Sequence, residues 1–319
     1  MEPVRWGILS TARINHAVLE PARETETAEV IAVASRDQPR AEAYAQKYGI
    51  TRAYGSYEAL LADPDVEAVY VSLPNRLHGE WSIRALEAGK HVLCEKPFSR
   101  RPDEVERAFE IAGRARLVLM EAFMYRHHPQ TRALAERIAS GEIGQLRQLR
   151  SSFSFTLTDS TDVRLVPELD GGALMDLGCY CIGICRLLAG EPEAVFGFQH
   201  VGPTGVDLRF GALLRFGEDA FAEFHCAFDL PEGATFEAIG SEGRVVVPDP
   251  FRCFEPHLEL NGEWVDVEDA DRYLLQLENF SAAVRGLAEP LFGGADAVGQ
   301  ARTIDALYRS AASGAAVSP

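Results

Sequence analysis

The sequence predicts an α/β protein of two domains: a parallel, doubly wound domain over residues 1–122, then an α+β domain over 123–319 with a large, mostly antiparallel open sheet. Three observations carry this expectation. At 319 residues the chain exceeds the usual size of a single domain. Its first third alternates short apolar, β-branched runs with amphipathic stretches, as a parallel βαβ sheet does. Beyond that, strand-like segments follow one another with few helices between them.

In the first region the strands are expected at Val4–Leu9, Glu29–Ala34, Ala68–Ser72, His91–Cys94 and Leu117–Glu121. Helices are expected at Ile14–Glu20, Pro39–Tyr48, Ser56–Ala62, Gly79–Glu87 and Pro102–Ala112, with Gly49, Pro64 and Gly89 punctuating their ends. After a helix over Pro129–Ser140, the pattern changes. Strands are expected at Gln145–Leu157, Glu193–Gly202, Val206–Phe216, Ala220–Asp229, Thr235–Gly240 and Arg244–Val247, interrupted by one helix, Gly172–Leu188. A last helix spans about Asp296–Ser310. Val206, Leu208, Phe210, Ala212, Leu214 and Phe216 alternate with period two, the mark of a strand with one covered face. A broad sheet with helices on one side must hide its other side, so this row is expected to supply a homodimer surface.

A formal charge of −17 argues against nucleic acid or an anionic membrane as partner. No charged-then-apolar leader precedes Val4, and no apolar run approaches the ~18 residues that span a bilayer; a cytoplasmic location is expected. Six cysteines in this length do not suggest a disulfide scaffold, and no CxxC pair suggests a metal site. The lysines are Lys47, Lys90 and Lys96 alone, so arginine carries most of the positive charge. Lys47 and Lys90 read as surface residues; Lys96 does not.

A dinucleotide site is expected after the first strand, where a Rossmann turn carries glycines that admit the pyrophosphate. Here Ser10, Ala12 and Asn15 stand at those positions. Small residues still permit close approach, Thr11 and Arg13 offer donors, and the following helix start at Ile14 favours an anion. The second strand ends in Ser35-Arg36-Asp37, with Arg40 one turn on. A hydroxyl and a guanidinium, in place of the acid that binds an NAD ribose about twenty residues after the glycines, suit the 2′-phosphate of NADP(H). Asp37 dissents, since shifted by two it would serve NAD(H), which stays possible.

The chemistry is expected in two segments. His91-Val92-Leu93-Cys94-Glu95-Lys96-Pro97 ends a strand at the sheet edge where ligands bind in such folds. A lysine in a partly desolvated crevice can polarise a substrate oxygen, and Glu95 can orient it or the cofactor. In Gly171-Gly172-Ala173-Leu174-Met175-Asp176-Leu177-Gly178-Cys179-Tyr180, a helix would set Asp176 and Tyr180 four apart on one face. A tyrosine near a lysine is a plausible general acid/base.

Together with Arg126-His127-His128-Pro129, these segments resemble the Gfo/Idh/MocA oxidoreductases. Trp6–Ala12 and Leu73-Pro74-Asn75-Arg76-Leu77-His78 are similar to the subgroup of D-xylose dehydrogenases and dimeric dihydrodiol dehydrogenases. The resemblance implies a hydride-transferring sugar or diol dehydrogenase (or keto-sugar reductase) that forms a homodimer. It implies that Lys96, Tyr180 and Asp176 are catalytic, that Leu73, Pro74, Asn75 and His78 line the nicotinamide ribose, and that Met124, Arg126 and Phe153 face substrate. Family members with histidine where Tyr180 stands oxidise inositol-like substrates, so inositol is disfavoured. His127 and His128 read as helix-start and packing residues, and Arg164 as either a substrate contact or a loop ion pair. The alternative is a non-catalytic dinucleotide sensor of the same fold, which has no use for the Lys96–Asp176–Tyr180 set.

Overall fold

A computed structural model describes residues 2–319, which form two units. The first comprises residues 2–99, Asp103–Met124 and Asp271–Val298; the second comprises Arg100–Pro102, Tyr125–Ala270 and Gly299–Pro319.

In the first unit the chain runs β1 (Val4–Leu9), α1 (His16–Leu19), β2 (Ala28–Ala34), α2 (Gln38–Tyr48), β3 (Arg52–Tyr54), α3 (Tyr57–Leu61), β4 (Ala68–Val71), α4 (Asn75–Glu87), β5 (His91–Cys94), α5 (Pro102–Ala115) and β6 (Leu119–Glu121). Apart from Arg5, β1 is wholly buried, and all four residues of β4 are buried. Strands covered on both faces belong in a parallel sheet. The order is β3-β2-β1-β4-β5-β6, every pairing parallel. The direction of winding therefore reverses between β1 and β4, which opens a crevice at the C-terminal ends of these strands. Asp37 and Ser56 cap α2 and α3 through their side chains, and Gly49 ends α2 at φ 74°, a left-handed conformation that glycine adopts without strain.

The sequence reading differs here in three places. The helix expected at Ile14–Glu20 is a 3-10 turn, Arg13–Asn15, followed by the four residues of α1, because Pro21 ends it. The edge strand β3, three half-buried residues, is too short to leave a periodic signal. Lys90 is not a surface residue: it is 7% exposed, and its ammonium donates to the carbonyls of Asp63 and Val66, each at 2.7 Å.

In the second unit come a 3-10 turn (Met124–His127, beginning on the last residue of the first unit), α6 (Pro129–Ala139), β7 (Leu146–Thr156), a π-helical turn (Leu174–Gly178) and α7 (Cys179–Ala189). Then follow β8 (Ala194–Val201), β9 (Asp207–Phe216), β10 (Ala220–Ala227), β11 (Asp229–Gly240), β12 (Arg244–Val247), β13 (His257–Leu260) and β14 (Glu263–Asp266). The eight-stranded sheet is ordered β14-β13-β12-β11-β7-β10-β9-β8; only β7 and β10 pair in parallel. The stretch Pro167–Ala189 is long and apolar enough to cross a membrane by composition, against the sequence expectation, yet most of it is buried inside its unit, as a core helix is.

Two expectations are corrected. The boundary after 122 lies at 124/125, and residues 271–298 return to the first unit as α8 (Arg272–Val284) and the start of α9 (Gly294–Ser313). Phe280 of α8 meets Trp6 of β1 with ring centroids 5.0 Å apart, and Arg285 pairs with Glu67 at 2.8 Å. Sequence order does not reveal such a return. The row Val206, Phe210, Ala212, Leu214, Phe216 is not an open surface: each is no more than 6% exposed, in the core of its own unit. The apolar residues left exposed on β8–β10 are Phe196, Phe198, Val201, Leu213 and Phe221.

Candidate active site

In the first unit, the turn after β1 is stitched by side chains where a glycine-rich turn relies on backbone freedom. The Ser10 hydroxyl accepts from the Ala12 N–H (3.1 Å) and meets the Ser72 hydroxyl at 2.7 Å. Asn15 binds back to the Ser10 carbonyl (3.0 Å) and accepts from Ser72 (2.6 Å). Ser10 follows β1 and Ser72 follows β4, so this knot sits where the sheet reverses its winding. Ile14 is half-buried in the 3-10 turn that follows.

Around the end of β2, Ser35 is buried and Arg36, Asp37 and Arg40 are exposed. The Asp37 carboxylate accepts from the Arg40 N–H at 2.9 Å, capping α2, and Arg40 Nε donates to the Thr11 hydroxyl at 2.7 Å. Arg13 and Arg36 carry no ion pair among the described residues. In so acidic a chain, exposed guanidiniums of this kind beside a carboxylate already given to a helix cap fit a 2′-phosphate better than a ribose hydroxyl.

Lys96 is half-buried at the end of β5, in a turn held at several points. The Glu95 N–H donates to the Val71 carbonyl (3.0 Å), and the Phe98 N–H donates to Glu121 (2.7 Å). The Lys96–Pro97 peptide is cis. Glu95 is buried and accepts from the Tyr70 hydroxyl, so its carboxylate is fixed from behind. Leu73 is nearly buried, Pro74 is the N-cap of α4 and Asn75 its first residue. His78 departs from the expectation of lining a ribose. It is 1% exposed, and its ring nitrogens contact the carbonyls of Leu73 (2.6 Å) and Pro97 (2.9 Å). It thus ties the start of α4 to the Lys96 turn from inside. Sequence reasoning missed Arg272 and Tyr273, which open α8 beneath the cap of Asp271. Burial, with the Glu95 charge, raises the Tyr273 hydroxyl above its ordinary value against the opposing charges of Arg272 and Lys96.

In the second unit, Tyr180 lies in a box of aromatic rings: Tyr125, Phe153 and Phe251 at centroid distances of 5.7, 5.5 and 5.3 Å. Tyr180 is 6% exposed and Phe153 half-buried. Asp176 stands in the π-helical turn, whose wider ring replaces the expected regular four-residue offset to Tyr180; such turns concentrate at functional sites. Arg164 Nε donates to Asp176 Oδ2 at 2.7 Å, and its Nη1 reaches Asp162 at 3.1 Å. The ion-pair reading of Arg164 is therefore the one seen, with the pair at Asp176. Met124 and Arg126 share the 3-10 turn before α6, both largely buried. His127 is fully buried, and burial with the charges of Arg132 and Arg126 pushes its imidazole down to about 3, so it is neutral. His128 caps α6 by accepting from the Gln130 N–H (3.1 Å). Both histidines are buried, and His128 starts α6, the position expected of it.

The first unit thus carries a lysine after a strand end, on the sheet whose winding reverses, and the second carries a tyrosine among aromatic rings and a carboxylate paired with arginine. Comparison with known proteins bears on what they serve. Residues 4–123 match the family described as "Oxidoreductase family, NAD-binding Rossmann fold", and residues 131–246 match its "GFO/IDH/MocA C-terminal domain". The chain belongs to the Gfo/Idh/MocA oxidoreductase family. Among members of that family, D-xylose 1-dehydrogenase (NADP(+)) 2 of Haloferax volcanii is 40% identical over 321 residues, covering 98% of each chain. Human trans-1,2-dihydrobenzene-1,2-diol dehydrogenase is 37% identical over 258 residues, covering 78% of this chain and 76% of the relative. The crystal structure of KijD10, a 3-ketoreductase from Actinomadura kijaniata in complex with NADP and TDP-benzene, superposes with a TM-score of 0.90 at 33% identity, over 97% of this chain and 98% of the other. As a Gfo/Idh/MocA protein the chain is an oxidoreductase.

Proposed function

We propose that the chain transfers a hydride between NADP(H) and a hydroxyl-bearing carbon of a sugar or small diol. The observation that carries this reading is the likeness, over 98% of both chains, to an NADP+-linked D-xylose dehydrogenase, in a chain that has Lys96, Asp176 and Tyr180. Ser10, Thr11, Ala12, Arg13 and Ile14 would hold the pyrophosphate; Ser35, Arg36 and Arg40 the 2′-phosphate; Leu73, Pro74, Asn75, Glu95 and Lys96 the nicotinamide end. When bound, the cofactor supplies the hydride acceptor or donor. The rest is done by side chains. Tyr180 takes the proton from the substrate hydroxyl as the carbonyl forms, and returns it in the reverse direction. Lys96 holds the same oxygen and favours the phenolate by its charge. Asp176, steadied by Arg164, accepts from a neighbouring hydroxyl, and Phe153 with Met124 and Arg126 bounds the pocket. A sensor without catalysis would leave this set idle, so the enzyme reading is preferred.

Further parts of the proposal concern the molecule's setting. A homodimer forms through the face of the second sheet that carries Phe196, Phe198, Leu213 and Phe221, since so many exposed apolar rings on one sheet mark an association surface. The six cysteines are all buried free thiols, which suits a reducing, cytoplasmic compartment. The test of function is a panel of pentoses, hexoses, inositols and diols with NADP+ and with NAD+. Turnover of an aldose or diol at rates typical of enzymes is expected. No turnover of any panel member, with tight dinucleotide binding, would favour the sensor.

A further inference from the structure

We propose that Asp207 is a positioning residue for the reaction, its carboxylate holding the start of the helical segment that carries Asp176 and Tyr180. The proposal rests on the reading of Tyr180 as the acid–base group. Asp207 opens β9 and is 3% exposed. Its Oδ2 accepts from the Leu174 N–H at 2.7 Å, and its Oδ1 from the Tyr308 hydroxyl at 2.9 Å. The first N–H groups of a helical segment have no partner within it and favour an anion. Close approach is built in at Gly172, whose φ is +127° and where a Cβ would overlap Asp207 Oδ1. Directly after this contact comes the π-helical turn with Asp176, then Tyr180. A shift of the anchor therefore shifts both groups.

The groups that face Asp207 are few. Tyr308 comes from α9, with Arg100 stacked over its ring at 5.3 Å from the centroid, and the Cys226 thiol comes from β10. No basic side chain bonds Asp207 itself among the described residues; Arg100 is engaged with Asp170 at 3.3 Å. Only N–H and O–H donors compensate the charge, and burial accordingly lifts the Asp207 carboxyl to about 6 against the hold of those donors. Protonation near that pH removes the anion from the helix start.

Asp207→Asn keeps the shape: its carbonyl still accepts from Leu174, and its amide donates to Tyr308. It lacks the charge at every pH. We expect a 10- to 100-fold lower kcat on the best panel substrate, with KM changed less, because small misplacements of reacting groups act mainly on the chemical step. The variant should also melt at a higher temperature than the wild type at pH 8, with the gain shrinking as pH falls through 6 and vanishing only below 3.8. Tyr308→Phe removes one donor to the ionised form, so the acid limb of the kcat profile should move to higher pH. Turnover of Asp207→Asn within twofold of wild type, a lower melting temperature at pH 8, or an unmoved acid limb in Tyr308→Phe would each overturn the proposal. Tyr180→Phe measured alongside separates the two ideas. Loss there with an unaffected Asp207→Asn sinks the anchor alone. An active Tyr180→Phe sinks the acid–base reading, while melting and the acid limb still judge Asp207.

Discussion

At the scale of single residues, the assigned chemistry turns on Tyr180 and Lys96. General acid–base groups contribute typically 10²–10⁴-fold. Tyr180→Phe should lose turnover on that scale while NADP(H) still binds, because the ring keeps its contacts with Tyr125, Phe153 and Phe251. Lys96→Met should lose at least as much. Lys96→Arg should fail too, since a guanidinium holds its proton and has a different shape. Steady-state kinetics with separate cofactor titrations test all of this; a Tyr180→Phe enzyme near normal rate would leave Lys96 as the sole candidate. Asp207 adds a stability argument. Its pKa rises from 3.8 unfolded to about 6 folded, so the folded state binds more protons between those values. Its contribution to stability is thus most favourable below 3.8 and falls as pH rises through 6, costing about 3 kcal/mol at pH 7 at 1.36 kcal/mol per unit. A residue retained at that cost, at the head of the Tyr180 segment, fits a role in activity.

At the scale of elements, the proposal gives cofactor choice to the turn from β2 into α2. Arg36→Ala should weaken NADP(H) binding by about 1.5–3 kcal/mol and leave NAD(H) nearly unchanged, as expected for one charge-assisted phosphate contact. Equal loss of both, by fluorescence titration, would remove Arg36 from the phosphate site. Asp37→Ala gives the complementary result. Its carboxylate caps α2, so melting should report a loss of about 1 kcal/mol while the preference between cofactors stays the same. A change in preference there would give Asp37 the ribose after all. Both turns that flank the crevice are fixed in the same manner, by side chains: Ser10, Asn15 and Ser72 on one side, His78 and Glu121 around Lys96 on the other. That is why the glycine fingerprint is dispensable here. The Ser10 hydroxyl makes the turn by accepting from Ala12.

At the scale of the whole molecule, the exposed apolar side of the second sheet sets the expected association. Light scattering should give a dimer, twice the 35.0 kDa chain, and Phe198→Asp with Leu213→Asp should shift it toward monomer without unfolding it. Phe198 and Leu213 are 65% and 48% exposed, so a charge there meets solvent in the free chain and is costly only in an apolar interface. A wild-type monomer at all concentrations would remove the proposal. Mutating Phe210 or Leu214 instead should unfold the unit, since both are core residues at 1% exposure.

What the sequence by itself determined was periodic and local. The parallel strands at Val4, His91 and their neighbours, the apolar alternation of Val206–Phe216, the Ser35-Arg36-Asp37 turn after β2 and the Lys96 strand end were all legible, because burial on two faces, burial on one face and the residues that end a strand each leave a mark within a few positions. The periodic row identified a covered strand but not what covers it: a row of alternating side chains reads alike whether it meets its own helix or another copy. The tertiary structure decided that, and gave the core to Phe210 and Leu214 and the open side to Phe198 and Leu213. It also decided the return of α8 to Trp6, the inward turn of His78 to two carbonyls, the pairing of Arg164 with Asp176 and the anchoring of Leu174 by Asp207. Each of these joins residues through space, or closes a helix on a π turn that no residue spacing announces. A sequence pattern records which groups are buried; only the folded chain brings together the partners that satisfy them.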